Sequence, residues 1–437
     1  MKKLLLASAA VLALFSCKPK AEPQPEYVMP VPEQVIMYQV NPRVFADSAS
    51  LLAVIPQLDS IRSMGTNVVW IMPIYPIGQV KSKNSPYSIA NYTAVNPEFG
   101  SLDDFKLLVR ECHSRGMAFI MDWVANHTAW DSKWLAEGHD DWYTKDASGN
   151  IIYPAGTDWT DVADLNYDNP EMRKRMTESM LFWIMECGVD GFRCDVADEV
   201  PADFWAECIR TLRETSRRPI LMLAEGHKRE NFTSGFDLNY AWEYMAALRD
   251  VFCKDSSARE LLRVEEEEYS QVPPGKLKLR FTTNHDEATK LSTVEEFGGR
   301  QGALAAYAAA VFMNGAALLY GEQEVAYDEP INFFEYVPMD WTANPDVRGE
   351  YRQMLHIFRD YPEIHGPDNK SFTTDDVLVL QKAGDFLVVV NVRPEGHVIA
   401  TPEGWEGLRV NDLRSGEKIT LGESIALSEY QYMLLKK

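Results

Sequence analysis

The sequence is short of positive charge. It carries 43 lysines and arginines against 65 aspartates and glutamates, a formal net charge of −22. A chain of that sign repels phosphate backbones and anionic lipid surfaces, which disfavours nucleic acid as a partner and suits a neutral substrate. Cysteine is scarce, six in 437 residues, and no two stand at the CxxC spacing of a metal site. Beyond Cys17 an odd number remains: Cys112, Cys187, Cys194, Cys208 and Cys253. They read as small buried hydrophobes in reduced form, with one unassigned disulfide as the alternative in an oxidising compartment. Internal repeats and low-complexity tracts are missing. After the first residues no uncharged apolar run is long enough to span a bilayer. The length suits one large domain and a smaller one.

Residues 1–16 have the layout of a secretory leader. Met1-Lys2-Lys3 is basic, Leu4 to Phe15 is apolar, and Ser16-Cys17 follows. A small residue before Cys resembles the bacterial lipoprotein cleavage box, which implies a lipid anchor on Cys17 and a place in the cell envelope. Residues 17–32 are polar and Pro-rich, as expected of a tether. Lys18-Pro19-Lys20 lacks the acidic cluster that resembles a surface-export signal, which favours a periplasm-facing anchor.

Apolar runs at Val35–Val40, Val68–Met72, Ala118–Val124, Gly191–Val196, Ile220–Ala224, Phe236–Tyr240, Leu279–Thr283 and Ala316–Tyr320 read as strands. Amphipathic helical patterns alternate with them, including Leu102–Arg115, Pro170–Cys187, Pro201–Thr215 and Gln301–Met313. This alternation predicts an α/β fold, a (β/α)8 TIM barrel over residues 33–366. Residues 126–169 lack helical periodicity and are rich in Trp, Asp, Gly and Tyr. They are expected to form a short inserted subdomain after the third strand. Of its tryptophans Trp130, Trp134, Trp142 and Trp159, at least half are expected in its core. The run Glu265–Glu268 reads as a solvated helix face. Residues 367–437 show short strands broken by turns, the pattern of a C-terminal antiparallel β-sandwich. Its only tryptophan is Trp405, which favours a barrel-capping role over a sugar-binding one.

Active sites of such barrels sit at the C-terminal strand ends. Four polar motifs fall there in order: DWVANH (Asp122 to His127), GFRCD (Gly191 to Asp195), LAEG (Leu223 to Gly226) and TNHD (Thr283 to Asp286). Buried strands that end in carboxylates imply one shared polar site, because unpaired buried charge is costly. Three acids, Asp195, Glu225 and Asp286, are equipment for cleaving a glycosidic bond. Arg193 lies two residues before Asp195, so both side chains leave the strand on one face. It is expected to hold Asp195 ionised.

The four motifs, their order and the insertion resemble the α-amylase superfamily, glycoside hydrolase family 13, from Val35 onward. The resemblance implies Asp195 as nucleophile, Glu225 as general acid/base with a raised pKa, and Asp286 as the third acid that grips sugar hydroxyls. It implies that His127 and His285 hydrogen-bond the same sugar and that Tyr87, in SPYSIANY, stacks on it. The implied activity is hydrolysis, with retention, of α-glucosidic bonds, mainly α-1,4, in starch-like glucans or maltooligosaccharides. A neopullulanase, α-glucosidase or 4-α-glucanotransferase activity on the same site is the alternative. A non-catalytic glucan-binding protein is disfavoured by the intact acids. The chemistry implies no cofactor.

Asn126 and Asp164 would match ligands of a structural calcium, with a backbone carbonyl near Glu199. The segment ADLNYDNP (Ala163 to Pro170) also resembles calcium-free branches, in which the same two residues hydrogen-bond within the subdomain junction. Two departures concern specificity. Asp198 and Glu199 stand where relatives of the α-amylase type carry Lys-His, so aglycone binding must differ. Ser88 follows Tyr87 where exo-acting α-glucosidases commonly carry Asp, which argues for an open, endo-type cleft. Val196, directly after the nucleophile position, is similar to enzymes that accept α-1,6 bonds.

Overall fold

The structure, a computed structural model, describes residues 27–366 and 369–437. The expected leader, Cys17 and the tether up to residue 26 lie outside the described residues.

Eight parallel strands close into a barrel. In chain order they are β1 (Ile36–Val40), β2 (Val68–Ile71), β3 (Ala118–Val124), β4 (Gly191–Asp195), β5 (Leu221–Ala224), β6 (Leu238–Tyr240), β7 (Leu277–Arg280) and β8 (Ala316–Tyr320). Their side chains are buried on both faces, the barrel lumen on one and the helix ring on the other, so β2, β5 and β8 are apolar throughout rather than alternating, while β4, β6 and β7 also bury polar side chains. Lumen residues such as Met37, Trp70, Ile120, Leu223 and Leu279 form one cluster. β7 begins and ends earlier than the sequence pattern suggests. The chain turns at Asn284, whose side-chain oxygen accepts from the N–H groups of Asp286 and Glu287, so Thr282 and Thr283 leave the ladder.

The helices fall close to expectation: Leu102–Ser114, Pro170–Cys187, Ala202–Thr215 and Arg300–Val311. Ser101 and Asp104 form a reciprocal capping box on the first. Asn169 caps the second by accepting from Glu171 and Met172, and Pro170 takes the first helical position, where no N–H is needed.

The insertion is anchored by an antiparallel pair, His127–Ala129 against Val162–Asp164. Trp134 and Trp142 are its core, 5% and 4% exposed. Trp130 instead lies under the ammonium of Lys81, 3.4 Å from its ring centre. The C-terminal region is a six-stranded antiparallel sheet with a two-stranded one packed on it through Ile399, Ile425 and Leu427. Trp405 is fully buried there and donates to Gln381, so it offers no platform to a sugar. Lys382 fastens this sheet to the barrel by donating to the carbonyl of Phe312, 3.1 Å away.

Two expectations fail. The acidic run is not a uniformly solvated face. On the helix Arg259–Tyr269, Glu265 and Glu268 are three apart, share one side and pair with the buried Arg280. Only Glu266 and Glu267 are exposed. Of the cysteines, four are buried as read, but Cys253 is exposed.

Below the barrel, on the face opposite the catalytic strand ends, Tyr27 and Met29 pack against the lumen cluster. The Tyr27 hydroxyl donates to Asp190 and its ring stacks on His113, with centroids 4.4 Å apart. Among the described residues no helix is long and apolar enough to cross a membrane.

Candidate active site

Every side chain assigned to the site from sequence sits at the C-terminal end of the barrel or in the loops above it. β3 and β4 run in a register that places Asp122 opposite Arg193 and Val124 opposite Asp195. β5 lies beside β4, with Cys194 opposite Ala224, so Glu225 follows next to Asp195. Gly191 permits this close approach, since a Cβ there would meet the Leu221 carbonyl at 1.9 Å.

Arg193 is fully buried and gathers three carboxyl groups. One terminal nitrogen, Nη1, donates to Asp122 Oδ1 at 2.7 Å and to Asp195 Oδ1 at 2.8 Å. The other, Nη2, lies 2.8 Å from Glu225 Oε2, a close ion pair whose angle falls outside a hydrogen bond. Its Nε donates to the Tyr240 hydroxyl at 3.2 Å. The Val196 N–H also donates to Glu225 Oε2, at 2.8 Å. One oxygen of Asp195 and one of Glu225 are therefore anchored, and the second of each is left to the cavity that both residues line. Val196 makes its bond from a left-handed conformation, φ 35°, which is strained for a β-branched residue.

Electrostatics separate the two acids. Burial raises Glu225 from 4.5 to about 8, against the pull of Arg193 and with help from Asp195 and Asp286. Burial also raises Asp195, from 3.8 to about 7; Arg193 opposes this, and Asp122 and Asp286 add to it. Arg193 thus orients Asp195 but, contrary to the expectation from sequence, does not hold it at an ordinary carboxylate pKa; desolvation outweighs one guanidinium shared among three acids. The order still leaves the last proton on Glu225.

His285 and Tyr87 form the other wall. Gln39 donates to His285 Nδ1 at 2.7 Å, His285 Nε2 meets the Tyr87 hydroxyl at 2.6 Å, and that hydroxyl donates to Asp122 Oδ2 at 3.1 Å. The Tyr87 and His285 rings stack, with centroids 5.3 Å apart. Burial lowers His127 to about 4 and His285 well below 6.5, so both imidazoles are neutral. Asp286 completes the group from the loop after β7, with 41% of its side chain exposed and His285 3.3 Å away.

Sequence reasoning missed Asp122 as a site residue. It is buried, and it also accepts from Trp70 Nε1 at 3.1 Å. A carboxylate inside the apolar run Ala118–Val124, at the head of the DWVANH motif, was the available signal. It also missed Lys83, Phe333 and Phe334, which line the cavity with Trp159. Ser88 does not face the cavity; its buried hydroxyl donates to the Asp161 carbonyl at 3.1 Å, which removes the basis for reading it as an opening of the cleft. Asp198 is a bracket for the loop after Glu225. Its carboxylate accepts from His227 N at 3.0 Å and Asn231 Nδ2 at 2.8 Å, and its carbonyl accepts from Lys228 Nζ at 2.6 Å.

Asn126 and Asp164 both lie at the junction of the insertion. The Asn126 amide lies 3.2 Å from His127 Nδ1, and Asp164 pairs with His127 across the two short strands. Among the described residues no group of three or more His, Cys, Asp and Glu side chains is gathered as a metal-ligand set.

A model of the alpha-amylase catalytic domain matches residues 39–343, well over half the chain. The chain belongs to the alpha-amylase family. It is an alpha-amylase family glycoside hydrolase, and its barrel and C-terminal sheet are those of the family. Alpha-amylase 3 of Dictyoglomus thermophilum is 26% identical over 366 residues, 75% of this chain and 70% of its own length. A probable oligo-1,6-glucosidase of Bacillus subtilis is 32% identical over 197 residues, which span 37% of this chain and 34% of the relative. Among solved structures, a maltogenic alpha-amylase from Thermotoga neapolitana superposes with a TM-score of 0.83 at 25% identity, covering 92% of this chain and 99% of its own.

Proposed function

We propose that this family member hydrolyses α-glucosidic bonds, chiefly α-1,4, in maltooligosaccharides or starch-like glucans, with retention at the anomeric carbon. The observation that carries this reading is the single buried guanidinium of Arg193 between Asp195 and Glu225, with the higher pKa on Glu225. Glu225 protonates the leaving oxygen through its free Oε1. Asp195 Oδ2 attacks the anomeric carbon, and the bond to the leaving sugar breaks. Water, deprotonated by Glu225, then displaces Asp195 from the glycosyl-enzyme. Neutral His127 and His285 and the ring of Tyr87 hold the sugar, and Asp286 grips its hydroxyls.

The test is product chromatography with soluble starch, maltoheptaose, pullulan and panose, beside a Glu225→Gln control. Release of maltooligosaccharides or glucose from the α-1,4 substrates by wild type alone is expected. Cleavage confined to pullulan and panose would overturn the linkage assignment and favour the second reading, an α-1,6-accepting enzyme. That reading draws on Val196 in the cavity wall and on the similarity to oligo-1,6-glucosidases. Products longer than maltoheptaose would indicate transfer to sugar rather than to water.

We propose no cofactor for the chemistry. Asn126 and Asp164 act as junction hydrogen-bonders in this reading, and an unchanged melting temperature after chelation with EDTA is expected. A fall reversed by calcium would assign them to a structural ion. The anchor at Cys17 in the cell envelope is likewise a proposal. Because Tyr27 docks on the barrel floor, such an anchor would leave the cleft facing away from the bilayer. Labelling of the expressed protein by a fatty acid analogue, lost in Cys17→Ser, tests it.

A further inference from the structure

Glu225 marks the leaving-group side of the cleaved bond, and Tyr87, His127 and His285 mark the sugar being cleaved. The cavity wall next to Tyr87 and His127 is built from three loops tied to one another. Residues 79–88, which follow β2, form a strap across it. The strap is bound to the insertion at both ends: the N–H groups of Gln79 and Val80 donate to Asp131 Oδ2 at 2.8 and 3.2 Å, and Ser88 donates to the Asp161 carbonyl. Between them, Lys83 Nζ reaches Asp161 Oδ1 at 3.5 Å and the Asp158 carbonyl at 3.4 Å. The third loop joins through Asn84, which donates to the Phe334 carbonyl at 2.6 Å, and through Arg43, which donates to the carbonyls of both Asn84 and Phe333 at 3.0 Å. Trp159 stands over His127, with centroids 5.7 Å apart, and Phe333 packs edge-on against Tyr87 at 5.8 Å. The cavity that these residues line is about 310 Å³, at the small end of the range for ligand sites, and among the described residues Lys83 is the one lysine or arginine on its lining.

We infer that this strap closes the glycone end of the cleft, that Lys83 and Trp159 form its end wall, and that the enzyme removes one or two sugar units from the non-reducing end of its substrate. This rests on the hydrolase reading above and narrows it to chain ends. A half-exposed Lys–Asp pair contributes little stability by itself. Its effect is positional: the ammonium stands where a third glycone sugar would pass, and its remaining donor points the second sugar's hydroxyls.

Maltoheptaose labelled at its reducing end tests this with the purified mature protein. Expected from wild type are labelled maltohexaose or maltopentaose as the first products, with unlabelled glucose or maltose. Lys83→Ala and, separately, Trp159→Ala are expected to raise unlabelled maltotriose and longer fragments at least fivefold, with KM for maltoheptaose moving more than kcat. First products that pair short labelled fragments with unlabelled maltotriose or longer would overturn the inference and leave the hydrolase reading standing. Variants with the wild-type fragment pattern would overturn the role of the end wall. No cleavage of maltoheptaose by wild type would overturn both readings.

Discussion

Replacing Asp195 with Asn should abolish turnover and stabilise the fold, and the gain should grow with pH. The sign follows from the direction of the shift. Asp195 titrates at 3.8 when exposed and at about 7 when buried in the site. A raised carboxyl pKa favours the folded state below the unfolded value and loses that contribution as pH rises through the folded one. Full ionisation would cost about 4 kcal/mol at 1.36 kcal/mol per pH unit. Glu225 competes for the same proton and Arg193 retains Asp122 as a partner, so about 2 kcal/mol is expected for Asp195 itself. In a chain of this length about 1 kcal/mol corresponds to about 1 °C. Scanning calorimetry of wild type and Asp195→Asn should therefore coincide near pH 3.5, separate as pH rises toward 7, and differ by about 2 °C near pH 8.5, the variant being the more stable. A variant less stable than wild type by the same margin at every pH would refute the reasoning. It would mean that the Arg193 ion pair, rather than desolvation, dominates the energetics of Asp195.

The same two groups set the rate profile. kcat/KM should rise as Asp195 ionises and fall as Glu225 loses its proton, giving a narrow bell with apparent limbs near 7 and 8 that belong to the pair; a flat profile from pH 5 to 9 would contradict this. Asp122→Asn leaves Arg193 short of a buried charge and weakens the bonds from Trp70 and Tyr87, so a loss of about 2–4 kcal/mol in urea unfolding and a kcat at least tenfold lower are expected. Wild-type unfolding would show that Asp122 is not the anchor of the group. Asp198→Ala should release the loop that follows Glu225, cost about 1–2 kcal/mol, and expose residues 226–231 to limited proteolysis; resistance equal to wild type would refute the bracket role.

The barrel was legible because most of its strands are apolar runs buried on both faces, and Asp195 and Glu225 stand at the ends of two of them. The register of those runs then brought Asp195, Glu225 and Asp286 into one cavity without any long-range information from the sequence. What sequence reasoning could not supply were partners set by tertiary packing. Glu265 and Glu268 looked solvated because an acidic tetrad carries no mark of the arginine that arrives from β7. Ser88 looked like a gap in the cleft because its position follows Tyr87, yet its hydroxyl turns toward the insertion. The weight of Asp122 was hidden for the opposite reason: it lies inside a strand, where a charge seems least at home until Arg193 is placed opposite it.

Asp198 illustrates how a departure from a family pattern can be absorbed. An acid cannot take over the role of a lysine toward a sugar, so the sequence implied altered aglycone binding. In the fold, the carboxylate is consumed by the chain itself. Gly226 brings the loop so close that a Cβ would meet Asp198 Oδ1 at 2.3 Å, and the His227 N–H and Asn231 amide close the bracket. The loop so held carries Lys228, whose ammonium caps the Asp198 carbonyl from an exposed position. A lysine therefore does stand beside this turn, delivered by the loop after Glu225 rather than by the one after Asp195. The substitution at 198 and the glycine at 226 are thus one structural solution, and altering either alone should disturb the placement of Glu225.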